Sequence, residues 1–325
     1  MIHTRLCDLL GIAHPIINAP MTGTATADLA AAVANAGGFG LIGGSGGDAD
    51  WLRTQIRATR ERTDRPFGVG FISLFAGVDD LVQVAIEERV AAIAHSFADP
   101  TPYVAAAHTA GILVFAQVQS VAQAITAARA GVDVIAAQGT EAGGHTGTLS
   151  ATLPLVPAII DAIGDFPVPI IAAGGIADGR GLVAVLMLGA AGVWMGTRFM
   201  ASREWAGDAW GQARVVAAGT DDTVLTRAFD LAMGHPFPAS YPARVIRNDF
   251  TDAWDGHDAA VVARSAALRA AIQRAERAGD ADIAEVIGGN AVGLVHTVEP
   301  AGDILRRIIA EAETILRTRP AEIMR

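Results

Sequence analysis

This chain of 325 residues contains no lysine, and all 24 of its basic residues are arginine. Schiff-base catalysis requires a lysine amine, and the Walker-type phosphate loop requires a Gly-Lys-Ser/Thr sequence. The missing lysine therefore excludes class I aldolases, pyridoxal enzymes and P-loop NTPases.

Cysteine is almost missing as well, since Cys7 is the only one. A single cysteine cannot form an intrachain disulfide or a multi-cysteine metal site. We expect Cys7 to be a small buried apolar side chain rather than a nucleophile, and we expect no metal site.

Positive charge is scarce, and the formal net charge is −10. Nucleic-acid binding needs clustered positive charge, so we expect no nucleic-acid partner. No apolar run approaches the roughly 20 residues of a membrane span, and the N-terminal segment lacks the basic start and long apolar stretch of a signal peptide. We therefore expect a cytoplasmic protein with no membrane partner, as a monomer or homodimer.

Short apolar runs alternate with helix-length segments rich in alanine and leucine, such as 25–36, 121–130 and 181–188. The runs are continuously apolar, which is typical of parallel strands buried on both faces. Eight such units predict a (β/α)8 (TIM) barrel over residues 1–202, with a doubly wound open sheet as the alternative. The predicted strands begin near Ile16, Gly40, Phe67, Val90, Ile112, Val132, Ile170 and Val193.

The pattern changes after residue 202. Residues 203–256 show no clean period, and residues 257–279 predict one long helix that ends at Gly279. A short helix, an apolar piece at 291–298 and a final helix at about 302–318 follow. We predict a helical subdomain over 203–290 that covers the barrel mouth, and a C-terminal segment, 291–325, whose helix packs back on the barrel.

A glycine-rich decapeptide, residues 138–147, follows the sixth predicted strand and contains His145. Its four glycines would let the backbone lie close against a flat ligand. His145 is the group in it that is suited to proton transfer near neutral pH. Taken alone, a Gly-Gly-His sequence is equally typical of a surface turn, so the other strand ends decide between the two interpretations.

The seventh and eighth predicted strands both end in glycine turns that precede a helix. In a barrel, phosphate commonly binds between these two loops, where free N–H groups and a positive helix terminus can converge. We therefore predict a phosphate site there. Its candidate residues are Ala173, Gly174, Gly175, Met195, Gly196 and Thr197.

Other strand ends offer groups suited to a flat ring. The first strand leads into an uncharged loop, and Gln117 and Gln138 place amide groups at the ends of the fifth and sixth strands. A flat, amide-rich ring with a phosphate tail describes FMN, unless the glutamines only satisfy backbone groups of the core. The remaining candidate contacts are Ala19, Pro20, Met21, Gly143 and Gly144.

These motifs occur together in one known family. The relevant pieces are 18–21, 64–68, 138–145, 172–175 with 178–181, and 195–199. Across nearly its whole length the chain resembles the nitronate monooxygenase family, formerly called 2-nitropropane dioxygenases. The motifs are specific for the superfamily and less specific for the activity, since flavin-dependent quinone reductases and enoyl-acyl carrier protein reductases are similar here.

The resemblance implies an FMN-bearing barrel. It assigns the phosphate to the turns at Gly174, Gly175, Gly196 and Thr197, and the ring to Ala19, Pro20, Met21, Gln138 and Gly143. His145 matches the catalytic histidine of the family. The chain departs from many relatives at Gly70, where they carry an asparagine near the end of the third strand, and this puts the tuning of the flavin ring in doubt.

We hypothesise that the enzyme oxidises alkyl nitronates, and less efficiently nitroalkanes, with O2 to carbonyl compounds and nitrite. Protonated His145 would stabilise the nitronate anion, and neutral His145 would deprotonate a nitroalkane. One alternative is a flavin-dependent NAD(P)H:quinone or enoyl-thioester reductase of the same superfamily. Another is a barrel lyase or isomerase without flavin that acts on a phosphorylated substrate.

Several further residues carry weaker signals. His14 and His95 lie near strand ends, where they either line the barrel mouth or have a structural role. Tyr241 and Trp194 are either packing groups or walls of the pocket. Arg244, Arg247 and Asn248 resemble a family segment in which an arginine could attract an anionic substrate. His108, His235, His257 and His296 show no ligand spacing.

Overall fold

The computed structural model describes residues 1–164 and 166–324, and within them eight parallel strands form a barrel. Neighbouring strands pair in the order β1-β9-β8-β6-β5-β4-β3-β2. A parallel bridge between Ile17 and Phe39 joins the first strand to the last and completes the ring. The barrel strands are β1 (Ile16–Asn18), β2 (Gly40–Gly43), β3 (Phe67–Ile72), β4 (Ala92–Ser96), β5 (Leu113–Val118), β6 (Val134–Gln138), β8 (Ile170–Ala173) and β9 (Gly192–Met195).

Helices surround the barrel and continue into the C-terminal part of the chain. The first eight are α1 (Arg5–Leu10), α2 (Ala27–Asn35), α3 (Ala49–Arg62), α4 (Val78–Glu87), α5 (Thr101–Thr109), α6 (Val121–Ala130), α7 (Thr152–Ile163) and α8 (Gly179–Met187). The others are α9 (Thr197–Met200), α10 (Ala209–Ala217), α11 (Ala228–Met233), α12 (Asp249–Trp254), α13 (Asp258–Ala263), α14 (Ser265–Ala278) and α15 (Ala301–Ile323).

The predicted barrel is confirmed, and each strand begins within two residues of its predicted start. Alternate strand residues separate into two apolar layers, because successive side chains of a strand point to opposite faces. Leu41, Phe115 and Ile171 fill the barrel interior, whereas Ile42, Val114 and Ile170 pack against the helices. Both faces of each strand are therefore apolar, which explains the continuous apolar runs.

Cys7 is buried, as predicted, at 1% exposure. It belongs to α1, whose residues Leu6 and Leu10 join the apolar cluster of the barrel interior. The N-terminal helix therefore contributes a cysteine to the core and leaves no accessible thiol at this position.

The segment 203–290, called the cap below, contains strands as well as helices. β10 (Thr223–Thr226) and β11 (Ala243–Ile246) pair antiparallel, and β11 also pairs with β7 (Gly144–His145) from the glycine-rich decapeptide. The segment predicted as a helical subdomain therefore also contains a small antiparallel sheet, which the sequence did not indicate. Its two strands are only four residues long and gain their partners from distant parts of the chain, so no local period marks them.

The predicted long helix over 257–279 is two helices, α13 and α14, which are separated at Arg264. Arg264 has a non-helical backbone, with φ −114° and ψ 11°, and its guanidinium lies over the Trp254 ring. The predicted end at Gly279 is confirmed, since this glycine adopts the left-handed conformation that closes many helices. The short helix predicted after it is a turn.

The last helix, α15, packs on α2 and α8. Ile304, Leu305 and Ile308 are fully buried in the same cluster as the inner faces of those helices. No helix in the described ranges combines the length and the apolar character that crossing a membrane requires.

Candidate active site

A cavity of about 660 Å³ lies where the barrel strands end and the cap begins. His145 and all thirteen predicted contact residues line it: Ala19, Pro20, Met21, Gln117, Gln138, Gly143, Gly144, Ala173, Gly174, Gly175, Met195, Gly196 and Thr197. These residues come from the ends of five barrel strands, so the barrel topology is what gathers them. The location is the usual one for a barrel active site.

Four backbone N–H groups at one end of the cavity are free. Within the described residues, the amides of Gly174, Gly175, Gly196 and Thr197 donate no hydrogen bond. Gly174 and Gly175 have φ values of +99° and +75°, which glycine adopts without strain. Two adjacent turns thus present unpaired donors to the same space, as an anion site requires.

The start of α8, which we expected to add a positive helix terminus to this site, does not do so. The Asp178 side chain accepts from the N–H of Gly181, and the Glu311 carboxylate of α15 accepts from the N–H of Gly179. A Cβ at Gly179 would lie 2.5 Å from the backbone nitrogen of Ala312. The motif at 178–181 therefore serves the packing of α15 on α8.

The two predicted glutamines differ in their freedom to bind a ligand. Gln138 donates from Nε2 to the carbonyl of His145 and accepts from Gln119 at Oε1, so it holds the decapeptide in place. Gln117, in contrast, has a buried Oε1 without a hydrogen-bond partner in the described chain. Since an unpaired buried oxygen is costly, Gln117 is the amide that a bound ring would satisfy.

Two glycines of the decapeptide are required by the packing of the protein itself. A Cβ at Gly143 would lie 2.6 Å from the backbone nitrogen of Gly289, and Gly144 has a φ of +72°. Gly289 itself donates to the Thr197 hydroxyl at 3.0 Å. These glycines admit the segment that follows α14 and shape the loop, and both also line the cavity.

His145 is fixed from two sides. Its backbone pairs with Ala243 in the small sheet, and its Nε2 lies 3.0 Å from each carboxylate oxygen of Asp230. The ring of Phe237 stacks on the imidazole within 6° of parallel. With Nε2 directed at Asp230, the Nδ1 atom is left for a ligand in the cavity.

Asp230 is a partner that the sequence analysis missed. Burial opposes its ionisation, but hydrogen bonds from His145 and His235 outweigh this effect and lower the pKa of Asp230 below its usual range. The carboxylate is therefore charged near neutral pH and lies against both imidazoles. Because 85 residues separate Asp230 from His145, no local motif connects them.

The remaining cavity wall is acidic and aromatic. Within the described residues no arginine lines the cavity, so His145 and His235 are its only side chains that can carry positive charge. Burial raises the pKa of Glu285, on the same wall, to about 7. Phe75 and Phe97 each pack edge-on against Phe237 near His145.

Several residues with weaker signals lie away from the cavity. His95 is buried behind the barrel wall, where its ring stacks on Tyr103 and desolvation lowers its pKa to about 4. His14 and Tyr241 do not line the cavity either, whereas Trp194 does.

The segment at 243–248 is also structural. Arg244 donates to the carbonyl of Thr140, Arg247 pairs with Asp252, and Asn248 caps α12. None of these three residues lines the cavity, so an arginine of this segment makes no direct contact with the cavity space.

Known proteins resemble this chain over most of its length. A sequence profile of the family described as nitronate monooxygenase matches residues 3–83 and 71–311. Among solved structures, FabK from Thermotoga maritima has a TM-score of 0.88 and 37% identity, and the match covers 99% of this chain and 100% of that one. The nitroalkane oxidase of Streptomyces ansochromogenes has a TM-score of 0.81 and 27% identity, covering 95% and 98%.

Sequence relatives include an octahydroindene-carboxyl-CoA dehydrogenase of Mycobacterium tuberculosis. It is 36% identical over 251 residues, which are 77% of this chain and 68% of the relative. The similarities thus extend to proteins whose names describe different substrates.

Proposed function

The chain belongs to the nitronate monooxygenase family and is a flavin-dependent oxidoreductase, and we propose that it binds FMN and oxidises alkyl nitronates with O2. The products are a carbonyl compound and nitrite. Nitroalkanes are the poorer substrates, because they must first lose a proton.

Two features at opposite ends of the cavity support FMN as the flavin. The free amides of Gly174, Gly175, Gly196 and Thr197 suit a terminal phosphate, and the unpaired Gln117 Oε1 suits an N–H group of the ring. A Cβ at Gly196 would meet Ala19 at 3.5 Å and Met21 at 4.0 Å, so the protein leaves space there. The chemistry that a bound flavin supplies is transfer of electrons from the substrate to O2.

The observation that carries the substrate proposal is the His145–Asp230 pair in a cavity without arginine. A nitronate is a compact anion, and an imidazolium held by a buried carboxylate is a matching cation. Its Nδ1–H would donate to a nitronate oxygen and orient the anion. For a nitroalkane, the same atom in the neutral imidazole would accept the proton from carbon.

The aromatic side chains beside His145 suit the alkyl part of the substrate. Phe237 is 9% exposed and stacks on the imidazole, and Phe97 contacts both rings edge-on. This packing excludes water from one side of the imidazole, which strengthens its interaction with an anion.

Oxygen uptake and nitrite release with propyl-2-nitronate test the proposed reaction. We expect nitrite to form with O2 consumption, and we expect heat to release a flavin with the mass of FMN. The absence of nitrite at any nitronate concentration would overturn the substrate, and release of FAD would overturn the cofactor assignment.

A second candidate is reduction of an enoyl thioester with NAD(P)H. The wall formed by Ile72, Phe75, Phe97 and Phe237 would accommodate an acyl chain, and His145 would donate the proton to carbon. The carboxyl-CoA dehydrogenase relative points to thioesters as well. Anaerobic mixing with NADH separates the two candidates, since rapid bleaching of the flavin followed by reoxidation with an enoyl thioester would favour the reductase.

A further inference from the structure

One carboxylate near the cavity serves two imidazoles. Asp230 lies 3.0 Å from His145 Nε2 on one side, and its Oδ1 lies 3.4 Å from His235 Nδ1 on the other. The side chain of Asp230 is 6% exposed, whereas that of His235 is 45% exposed. His235 therefore exchanges protons with solvent while it contacts the buried counter-ion of His145.

The turn after α11 builds this arrangement. Gly234, with a φ of +77°, ends the helix, and the N–H groups of Gly234 and His235 both donate to the carbonyl of Asp230. This closure brings the residue five positions later back beside the Asp230 side chain. The position of His235 thus follows from a helix end with a left-handed glycine.

We propose that Asp230 and His235 together set the charge of His145, with Asp230 as the shared counter-ion and His235 as a solvent-exposed competitor for it. A protonated His235 is itself stabilised by the Asp230 carboxylate and repels a second positive charge beside it. Protonation of His145 is then less favourable. The effect is reciprocal, because two coupled sites must influence each other equally. The functional meaning of the proposal rests on the proposed role of His145.

Other charged groups act on the same pair. Asp230 raises the pKa of His235 against the opposing effects of burial and of Arg269 on α14, and Glu285 acts in the same direction as Asp230. Glu276, also on α14, lines the same cavity. Because the raising effects outweigh the opposing ones, His235 remains protonated to a higher pH than a free histidine and, while protonated, competes for Asp230.

The test compares Asp230→Asn and His235→Gln in the flavin-bearing protein. The probe is nitrate, an unreactive anion, and its Kd is measured between pH 5 and 9 from the change in flavin absorbance. The pH dependence of kcat/KM is measured with whichever substrate the enzyme turns over. The nitrate titration reports the charge of His145 whether or not nitronates are the substrates.

We expect opposite shifts. In Asp230→Asn, nitrate affinity should be lost at a lower pH than in the parent protein, since His145 loses its counter-ion. In His235→Gln, affinity should persist to higher pH, because the competitor is gone. The basic limb of the kcat/KM profile should move in the same two directions.

A matched control is the surface pair His108–Asp133, with a separation of 2.9 Å. His108→Gln should leave both profiles unchanged. Shifts of the two test variants in the same direction, or no shift in His235→Gln, would overturn the proposal. If instead the expected shifts occur but no nitronate is oxidised, the proposal stands and the substrate assignment fails.

Discussion

Pro20 occupies the space that a side chain at residue 70 would need. A Cβ at Gly70 would lie 2.3 Å from Pro20 Cγ and 2.5 Å from Pro20 Cβ. The glycine that departs from the family pattern is therefore matched to the loop after β1, and Gly70 itself does not line the cavity.

Gly70→Ala should displace this loop, including Met21, from the cavity wall. We expect a loss of about 1–3 kcal/mol of stability, as for overpacked cores, together with weaker flavin retention. Thermal unfolding and the ratio of flavin to protein absorbance measure the two effects. Adding Pro20→Gly removes both obstructing atoms and should restore part of the stability and part of the flavin retention. A double variant no better than Gly70→Ala would contradict this explanation.

Gly196→Ala should weaken flavin binding without harming the fold. Gly196 has a φ of −101°, which alanine accepts, and its added Cβ would meet no described protein atom closer than 3.5 Å. The methyl group would instead crowd the four free amides, and we expect the Kd for FMN to rise roughly tenfold or more. Titration of the flavin-free protein with FMN measures this. Gly219→Ala, at an open position outside the cavity, is the control and should bind FMN normally.

His145→Asn should lower kcat/KM by about 10²-fold or more, because asparagine neither carries charge nor exchanges a proton. Steady-state kinetics with nitronate and nitroalkane should show different pH dependences in the parent, with nitronate favoured at low pH. His108→Asn is the control for loss of a histidine in an Asp pair. Equal activity of His145→Asn and the parent on both substrates would remove His145 from the proposed mechanism.

Gly179→Ala should destabilise the protein by about 1–3 kcal/mol, because its Cβ would lie 2.5 Å from the Ala312 nitrogen of α15. An added Cβ at Gly302, in α15 itself, would meet the flexible end of Arg306 and make ordinary contact with Ala36, so Gly302→Ala should be neutral or stabilising by about 0.5–1 kcal/mol. Denaturant unfolding compares the two. The flavin spectrum should be unchanged in both, since neither residue lines the cavity.

Glu285 should make stability fall with rising pH. Burial raises the pKa of Glu285 from 4.5 to about 7. Its contribution to the free energy of unfolding is therefore fully present below pH 4.5 and is lost as the pH rises through about 7. Glu285→Gln should flatten the decrease in Tm between pH 5 and 8 and should be more stable than the parent at pH 8. The exposed Glu61→Gln is the control, and a Glu285→Gln profile parallel to the parent would refute the assignment.

The barrel could be predicted from the sequence because its determinants are local. Each strand is an apolar run, and a left-handed glycine ends helices such as α6 and α14, so the element boundaries are encoded within a few residues. The fixed geometry of a barrel then brings the strand ends together. All predicted contacts could thus be named from strand ends and family motifs without any knowledge of distances.

The chemistry around His145 could not be predicted in this way. Asp230 and Phe237 come from the cap, and β7 becomes a strand only because β11 lies beside it. The sequence also did not show why single glycines are needed. Gly143 and Gly179 are required because backbone from a distant segment packs directly against them. Interactions across long separations depend on the completed packing, and a single sequence does not record them.

The ladder between β7 and β11 joins the proposed catalytic residue to the cap. His145 belongs to a loop of the barrel, while its counter-ion and its stacking partner belong to the cap. A displacement of the cap large enough to break the ladder would separate the imidazole from the carboxylate at the same moment. The proposed pairing of His145 with its counter-ion thus requires the barrel loop and the cap to remain in contact.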